Sequence, residues 1–110
     1  MESALQNKCL KILFAKDFWV YNNHGSMFTG RGRPDLTGAT PYGQFFGLEL
    51  KDGTKITAIQ RLHLDQIIKR GGLALEIRSV EELNNFIEEV ERNGKHFGRV
   101  PSTPDGEGTR

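Results

Sequence analysis

In the sequence FFGLELK, a carboxylate and an ammonium, those of Glu49 and Lys51, stand two places apart in an otherwise apolar segment. Successive side chains of a β-strand point to opposite faces, so these two charged groups share one face if the segment is a strand. Phe46, Leu48 and Leu50 then share the other face. Most such charged pairs are exposed and contribute little to stability, so the pair by itself indicates no particular chemistry.

A second carboxylate, that of Asp35, precedes a strand that is expected to lie beside Glu49. Pro34 lacks a backbone donor and favours an extended conformation at Arg33, so the strand should begin at Asp35 and Leu36. The loop TGATPYGQ that follows has a suitable length to lay this strand alongside the FFGLELK strand. Two carboxylates brought together in this way repel each other unless a proton or a cation lies between them.

A divalent cation such as Mg²⁺ or Mn²⁺ would relieve this repulsion, because these ions prefer oxygen ligands and commonly bind one or two carboxylates, waters and phosphate oxygens. We therefore expect Asp35 and Glu49 to bind the cation, with the backbone carbonyl of Leu50 as a further ligand. Lys51 would then point toward the attacking water or the scissile phosphate. This combination is suited to the hydrolysis of a phosphodiester bond.

The apolar pattern predicts the elements that must position these residues. Apolar residues that recur at three- and four-residue steps indicate helices, whereas alternation and β-branched or aromatic residues indicate strands. Helices are expected over residues 2–16, from residue 57 to the glycine pair at 71–72, and over 80–92. Strands are expected over 18–22, from 35, over 45–51 and over 73–79. This order predicts an α/β fold with a mixed central sheet flanked by helices.

Composition sets the domain boundaries and the compartment. A chain of 110 residues predicts one domain, which we place at residues 1–93. Residues 94–110 contain two prolines and four glycines and are expected to form a flexible tail. No run approaches the ~18 apolar residues of a membrane span, and the N-terminus lacks the pattern of an export signal. The single cysteine, Cys9, is expected to be buried and inert, which suits a soluble protein of the reducing cytoplasm.

Two further polar residues have ordinary structural interpretations. Gln60 follows Thr57 by three residues, which predicts a capping box at the start of a helix. Glu2 lies on the apolar stripe of the first predicted helix, where a carboxylate complements the helix dipole. Its position on that stripe also tips the carboxylate toward the interior.

Three segments of the chain carry a family resemblance. GRPDLTG, FFGLELKDGTKIT and IQRLHLDQIIKRGGLALEIRSVEEL together resemble the Gly-x-Pro-Asp, Glu-x-Lys and downstream Gln pattern of the VRR-NUC family. This family is a branch of the PD-(D/E)XK nuclease superfamily, and its small members are often phage-encoded. The resemblance spans residues 2–87 and includes the order and spacing of the motifs.

The resemblance implies a role for each matching residue. Asp35 and Glu49 would be metal ligands, Lys51 the catalytic lysine, Gln60 a residue that orients the site, and Glu2 the acid that completes the metal shell. It also implies a restriction-endonuclease-like fold and a Mg²⁺- or Mn²⁺-dependent DNA endonuclease in the host cytoplasm. A homodimer that cuts branched DNA, such as a Holliday junction or a flap, is implied as well.

Basic and aromatic residues near the proposed site could contact a nucleic acid. Residues 1–75 hold ten Lys and Arg against six Asp and Glu, an excess that permits a polyanionic partner. Six basic residues flank the site in sequence and are candidate phosphate contacts, although each alone is more often a solvated surface residue: Arg31, Arg33, Lys55, Arg61, Lys69 and Arg70. Phe28, Tyr42 and Phe45 could stack on a base, although aromatic residues near loops more often cover a small core.

The residues leave three functions open. A Mg²⁺- or Mn²⁺-dependent DNA endonuclease would use Asp35, Glu49 and Lys51 together. A non-catalytic nucleic-acid-binding module on the same fold would use only the basic residues, and its carboxylates would disfavour phosphate binding unless a cation neutralised them. A structural or partner-binding protein would simply expose the charged face of the strand to solvent.

Overall fold

Three helices and four strands are formed by residues 3–23 and 32–96, the residues that the computed structural model describes. In chain order they are α1 (Ser3–Ala15), β1 (Trp19–Asn22), β2 (Leu36–Ala39), β3 (Phe45–Leu50), α2 (Ala58–Lys69), β4 (Leu73–Ile77) and α3 (Val80–His96). The predicted mixed sheet flanked by helices is therefore confirmed. Within the described ranges, no helix combines the length and the apolar character that crossing a bilayer requires.

The strands form one mixed sheet in the order β1-β2-β3-β4. β1 with β2 and β2 with β3 are antiparallel, whereas β3 and β4 are parallel. Parallel neighbours need a crossover connection, and α2 supplies it between β3 and β4. In the β2–β3 register Leu36 lies opposite Leu48. One step further along this register, Asp35 comes beside Glu49.

The core lies on the sheet face that packs against α1 and α3. Phe46 and Leu48 are fully buried there and Leu50 nearly so, as the alternation in FFGLELK predicts. The Phe46 ring meets the Phe18 ring edge to face, with centroids 5.5 Å apart. Cys9 is also buried in this core, and desolvation raises the pKa of its thiol to about 11. The thiol is therefore protonated at neutral pH and inert, as expected for a buried structural cysteine.

The opposite sheet face, which we call the α2 face, is covered over β3 and β4 by α2. Glycine at two positions allows this close packing. A Cβ atom added to Gly47 or to Gly72 would lie 2.6 Å from a methyl carbon of Ile67. The glycines therefore let the helix approach the sheet, and Glu49 is enclosed between the two layers.

The third helix is longer than its sequence predicts. Asn93 and Gly94 favour a helix end near residue 92, but α3 continues to His96. Gly94 is buried inside the helix because its missing side chain makes room for the Tyr42 ring, which a Cβ atom there would overlap. The predicted end of this helix near residue 92 is therefore wrong, whereas the domain boundary at residue 93 stays a prediction. The remainder of the predicted tail, residues 97–110, lies outside the described residues.

Candidate active site

The pairing of β2 with β3 brings the first two predicted site residues together. Leu36 and Leu48 are opposite each other in this register, so Asp35, which directly precedes β2, is placed next to Glu49 of β3. The backbone N–H of Leu50 donates a hydrogen bond of 2.8 Å to Oδ2 of Asp35. The carboxylate of Asp35 therefore lies against the end of β3.

Asn23 holds the chain that enters β2. Its side-chain Nδ2 donates hydrogen bonds to the carbonyl of Pro34 at 3.0 Å and to Oγ1 of Thr37 at 2.9 Å. Its backbone N–H donates to the carbonyl of Asp35 at 2.9 Å. Because these bonds bracket Asp35 on both sides, Asn23 positions the first carboxylate of the site. Nothing in the sequence singles out Asn23, since the contact depends on the β1–β2 pairing.

Glu49 is a buried carboxylate, with only 3% of the residue exposed. Its Oε2 accepts a hydrogen bond of 2.9 Å from Nε2 of Gln60 and lies 4.0 Å from Nζ of Lys51. Burial of a carboxylate is costly unless hydrogen bonds or opposite charges compensate for the missing hydration. Both kinds of compensation are present at Oε2 of Glu49.

Lys51 continues the line of β3 although it follows the last assigned residue of the strand. Its backbone N–H donates to the carbonyl of Ile77 at 3.1 Å, which extends the pairing with β4 by one residue. Side-chain alternation therefore persists through Lys51, and the ammonium reaches the same side of the sheet as Glu49. The Lys51 side chain is only 14% exposed. The predicted shared face of Glu49 and Lys51 is confirmed.

Gln60 makes both of the contacts that its sequence position allows. Its Oε1 accepts from the backbone N–H of Thr57 at 2.9 Å, and its own N–H donates to Oγ1 of Thr57 at 3.2 Å, so the predicted capping box is present. The remaining side-chain nitrogen donates to Glu49. The start of α2 is thereby tied to the buried carboxylate of β3.

These groups offer oxygen ligands to a hard divalent cation. Asp35 and Glu49 provide two carboxylates, and the carbonyl of Leu50 lies on the same side of β3 as the N–H that contacts Asp35. Such a donor set fits Mg²⁺ or Mn²⁺, which complete their coordination with waters and phosphate oxygens. The predicted ligand Glu2 lies outside the described residues. Among the residues described, no group of three or more His, Cys, Asp and Glu side chains could hold a metal ion.

The six predicted phosphate contacts are not gathered in one place. Arg33 and Arg70 line the same cavity, which lies between α2 and the sheet and has a volume of about 590 Å³. Arg61 instead pairs with Asp65 at 3.3 Å and lines a separate cavity. Lys55 and Lys69 are exposed, and Arg31 lies outside the described residues.

The aromatic residues that could stack on a base also differ in their surroundings. Tyr42 packs against the core, as the alternative interpretation predicts, whereas Phe45 is 51% exposed on the α2 face. Phe28 lies outside the described residues. Phe45 is therefore the one of the three that the described structure offers to a ligand.

A third carboxylate was missed by the sequence interpretation. Glu76 of β4 lies opposite Glu49 in the parallel register, so both side chains share the α2 face. Alternation in LALEI puts Glu76 on the sheet face opposite to that of Leu75 and Ile77. Only the β3–β4 register shows that Glu76 is next to Glu49. An ion pair of 2.7 Å with Arg78 compensates the charge of Glu76. This pairing directs the Glu76 carboxylate to Arg78.

The carboxylate of Glu49 thus contacts the ammonium of Lys51 and the carboxamide of Gln60, and the carboxylate of Asp35 contacts the end of the same strand. A scan against models of known protein families, a search of curated proteins and a search of solved structures each find no match to this chain. Function therefore has to be inferred from the side chains of this site.

Proposed function

We propose that this protein is a metal-dependent endonuclease that hydrolyses phosphodiester bonds in DNA, in the manner of the VRR-NUC family. One observation carries the proposal. Nζ of Lys51 lies 4.0 Å from Oε2 of the buried Glu49, and the β2–β3 register brings Asp35 alongside. Lysine and glutamate are seldom buried, and burying an ion pair adds little net stability because desolvation of the two charges offsets their attraction. The burial of Glu49, with a largely shielded Lys51 next to it and a second acid nearby, is better explained by a chemical task.

The residues of the site divide this task among them. Asp35, Glu49 and the carbonyl of Leu50 would hold Mg²⁺ or Mn²⁺. When bound, the cation lowers the pKa of water and offsets the charge of the phosphate. Lys51 places its positive charge where negative charge develops on the phosphate oxygens. Gln60 restrains the Glu49 carboxylate through its Nε2 hydrogen bond, so that the carboxylate stays oriented toward the cation.

The resemblance to VRR-NUC nucleases supplies the finer parts of the proposal. The protein would act as a homodimer on branched DNA, such as a four-way junction or a flap, in the cytoplasm of a host cell. A two-fold axis relates identical sites, so a dimer could address two strands of one symmetric substrate.

Cleavage of a panel of DNA structures tests the proposal. Purified protein is incubated with duplex, single-stranded, flap and four-way junction DNA in Mg²⁺, Mn²⁺ or EDTA. We expect cleavage of at least one substrate in Mg²⁺ or Mn²⁺ and none in EDTA. Asp35→Asn, which keeps an oxygen for the N–H of Leu50 but removes the charge, should lower the rate about 100-fold or more.

Glu88→Gln provides the matched control, because it removes one negative charge from the exposed side of α3. Its cleavage rate should equal that of the unaltered protein. Cleavage by Asp35→Asn at the unaltered rate would overturn the assignment of Asp35. DNA binding without cleavage in either metal would identify a nucleic-acid-binding module instead.

The double role of Gln60 gives a second test of the site. Thr57→Ala removes the capping hydroxyl, whereas Gln60→Ala removes both the reciprocal cap and the contact to Glu49. We expect Thr57→Ala to lower the free energy of unfolding by about 1 kcal/mol in urea denaturation, and Gln60→Ala to lower it further because the buried Glu49 loses a hydrogen bond. Only Gln60→Ala should also raise the Mg²⁺ concentration needed for half-maximal cleavage, by about 10- to 100-fold. An equal Mg²⁺ dependence in both variants would reduce Gln60 to a capping residue.

A further inference from the structure

The cavity that holds Arg33 and Arg70 has the chemistry of a binding site for an unpaired nucleotide. It lies on the α2 face and is lined on its apolar side by Pro34, Phe45 and Ile67. The described residues that line it include no acid. A second cavity, of about 490 Å³, is lined by three glutamates and two arginines. Of these two cavities, only the first combines an apolar surface with a lining that is basic and not acidic.

We infer that this cavity binds a single-stranded segment of the nucleic acid, with one base packed against Phe45 and the adjoining phosphates contacted by Arg33 and Arg70. The inference rests on the proposed function and adds to it the class of substrate. Duplex DNA hides the faces of its internal bases in the stack, so an exposed ring such as Phe45 stacks most readily on an unpaired base. A positively charged groove that carries aromatic rings is the common design of single-strand binding proteins.

The sheet register extends this aromatic surface. Phe45 lies opposite Ala39, and Ala39 lies opposite Trp19, so all three side chains are on the α2 face. Trp19 and Tyr21 are 65% and 57% exposed, and their rings meet edge to face with centroids 6.1 Å apart. Two strand spacings separate Trp19 from Phe45, which is about 10 Å. A strand of nucleotides that leaves Phe45 across β2 would therefore meet a second aromatic surface.

Residues that line the cavity are also close in sequence to those of the proposed active site. Arg33 and Pro34 directly precede Asp35, and Phe45 stands four residues before Glu49 on β3. Four residues of a strand span about 13 Å. A base held at Phe45 would thus anchor the strand a short distance from the bond that is cut, and it would select substrates that contain an unpaired segment.

A second copy of the chain is the other occupant to consider for an exposed aromatic surface. A two-fold interface brings the same patch of each subunit together. Such an interface would bring Arg33 and Arg70 of one subunit close to the same two arginines of the other subunit. Repulsion between these like charges opposes the interface. Phosphates complement these arginines, so the charge favours nucleic acid.

Binding measured in EDTA tests the inference separately from cleavage. A labelled oligothymidine of about twelve nucleotides and a fully paired, blunt-ended duplex of matched length are titrated with the full chain. Fluorescence anisotropy gives Kd, and Trp19, the single tryptophan, reports contact at the sheet edge. We expect tighter binding of the oligothymidine and quenching of Trp19. Phe45→Ala should weaken binding about 5- to 150-fold.

Arg70→Ala should also weaken binding, and it should reduce the slope of log Kd against log salt by about 0.7 for each phosphate that the arginine neutralises. Two matched controls lie away from the α2 face: Phe14→Ala, at a phenylalanine of α1 that is 58% exposed, and Arg92→Ala, at an exposed arginine of α3. Neither should change Kd. Weakened binding in Phe45→Ala and Arg70→Ala alone would support the inference.

Three results would overturn the inference. In the first, Phe45→Ala binds the oligothymidine as tightly as the unaltered chain. In the second, the duplex binds as tightly as the oligothymidine. In the third, Phe45→Ala changes the oligomeric state in sedimentation but not Kd, which would assign the surface to a second copy.

Strand binding through Phe45 with no cleavage in Mg²⁺ or Mn²⁺ would support this inference and overturn the proposed nuclease. If Phe45→Ala changes neither the metal-dependent cleavage rate nor Kd, the proposed nuclease would be supported and this inference would be overturned.

Discussion

Lys51→Ala should slow DNA cleavage by about 100- to 1,000-fold under single-turnover conditions in Mg²⁺, a range typical for the removal of one group that stabilises transition-state charge. The ammonium lies beside Glu49 and is largely shielded from water, with the side chain 14% exposed. In a position shielded from water the effective dielectric constant is low, so the ammonium stabilises a nearby negative charge more strongly than it would at the surface. The affinity for DNA should change much less than the rate, because Lys51 contributes mainly as charge develops.

The substitution must be separated from a loss of folding, since it also removes the charged neighbour of a buried carboxylate. Lys51→Met keeps most of the aliphatic stem, and its rate should fall as far as that of Lys51→Ala. Lys11→Ala removes the same charge from an exposed position on α1 and should cleave normally. Circular dichroism checks that each variant is folded. A folded Lys51→Met protein that cleaves within about threefold of the unaltered rate would exclude Lys51 from the chemistry.

Phe46→Ala should lower the free energy of unfolding by about 3–5 kcal/mol, the usual range for removing a buried phenylalanine side chain. The Phe46 residue is fully buried, and its ring lies against those of Phe18 and Phe86. Domains commonly have only about 5–15 kcal/mol of stability in total, so the variant should be partly unfolded near physiological temperature. Urea denaturation followed by far-ultraviolet circular dichroism measures the change.

The adjacent residue provides a control of the same chemistry. Phe45 is 51% exposed on the opposite face of the same strand. Phe45→Ala should therefore change the free energy of unfolding by about 0.5 kcal/mol or less. Equal losses of stability in the two variants would contradict the assignment of the core to the face of β3 that carries Phe46. Together with the binding experiment, this pair separates a residue that stabilises the fold from one that contacts the ligand.

The parts of the site that the sequence predicts correctly depend on near neighbours along the chain. Alternation in FFGLELK places Glu49 and Lys51 on one face, and the three-residue spacing of Thr57 and Gln60 forms the capping box. Strand period, helix period and capping are determined by residues within one or two turns. The element order and the mixed sheet followed from the same local signals.

Other features depend on residues that are distant in sequence. The placement of Glu76 beside Glu49 requires the β3–β4 register, which local patterns do not specify. The continuation of α3 through Gly94 depends on the Tyr42 ring, which occupies the space of the missing side chain. A glycine near a helix end is usually a stop signal, and here packing between distant segments outweighs it.

The sequence alone therefore determined the chemical groups and the face on which each is displayed, because strand and helix periods are local properties of the backbone. Only the tertiary structure decided the contacts that the sequence did not predict: Glu76 beside Glu49, Asn23 bonded on both sides of Asp35, and Arg33 with Arg70 in one cavity while Arg61 faces another. These contacts depend on strand register and on where the helices pack. Both are determined by the burial of apolar residues that lie far apart in the chain.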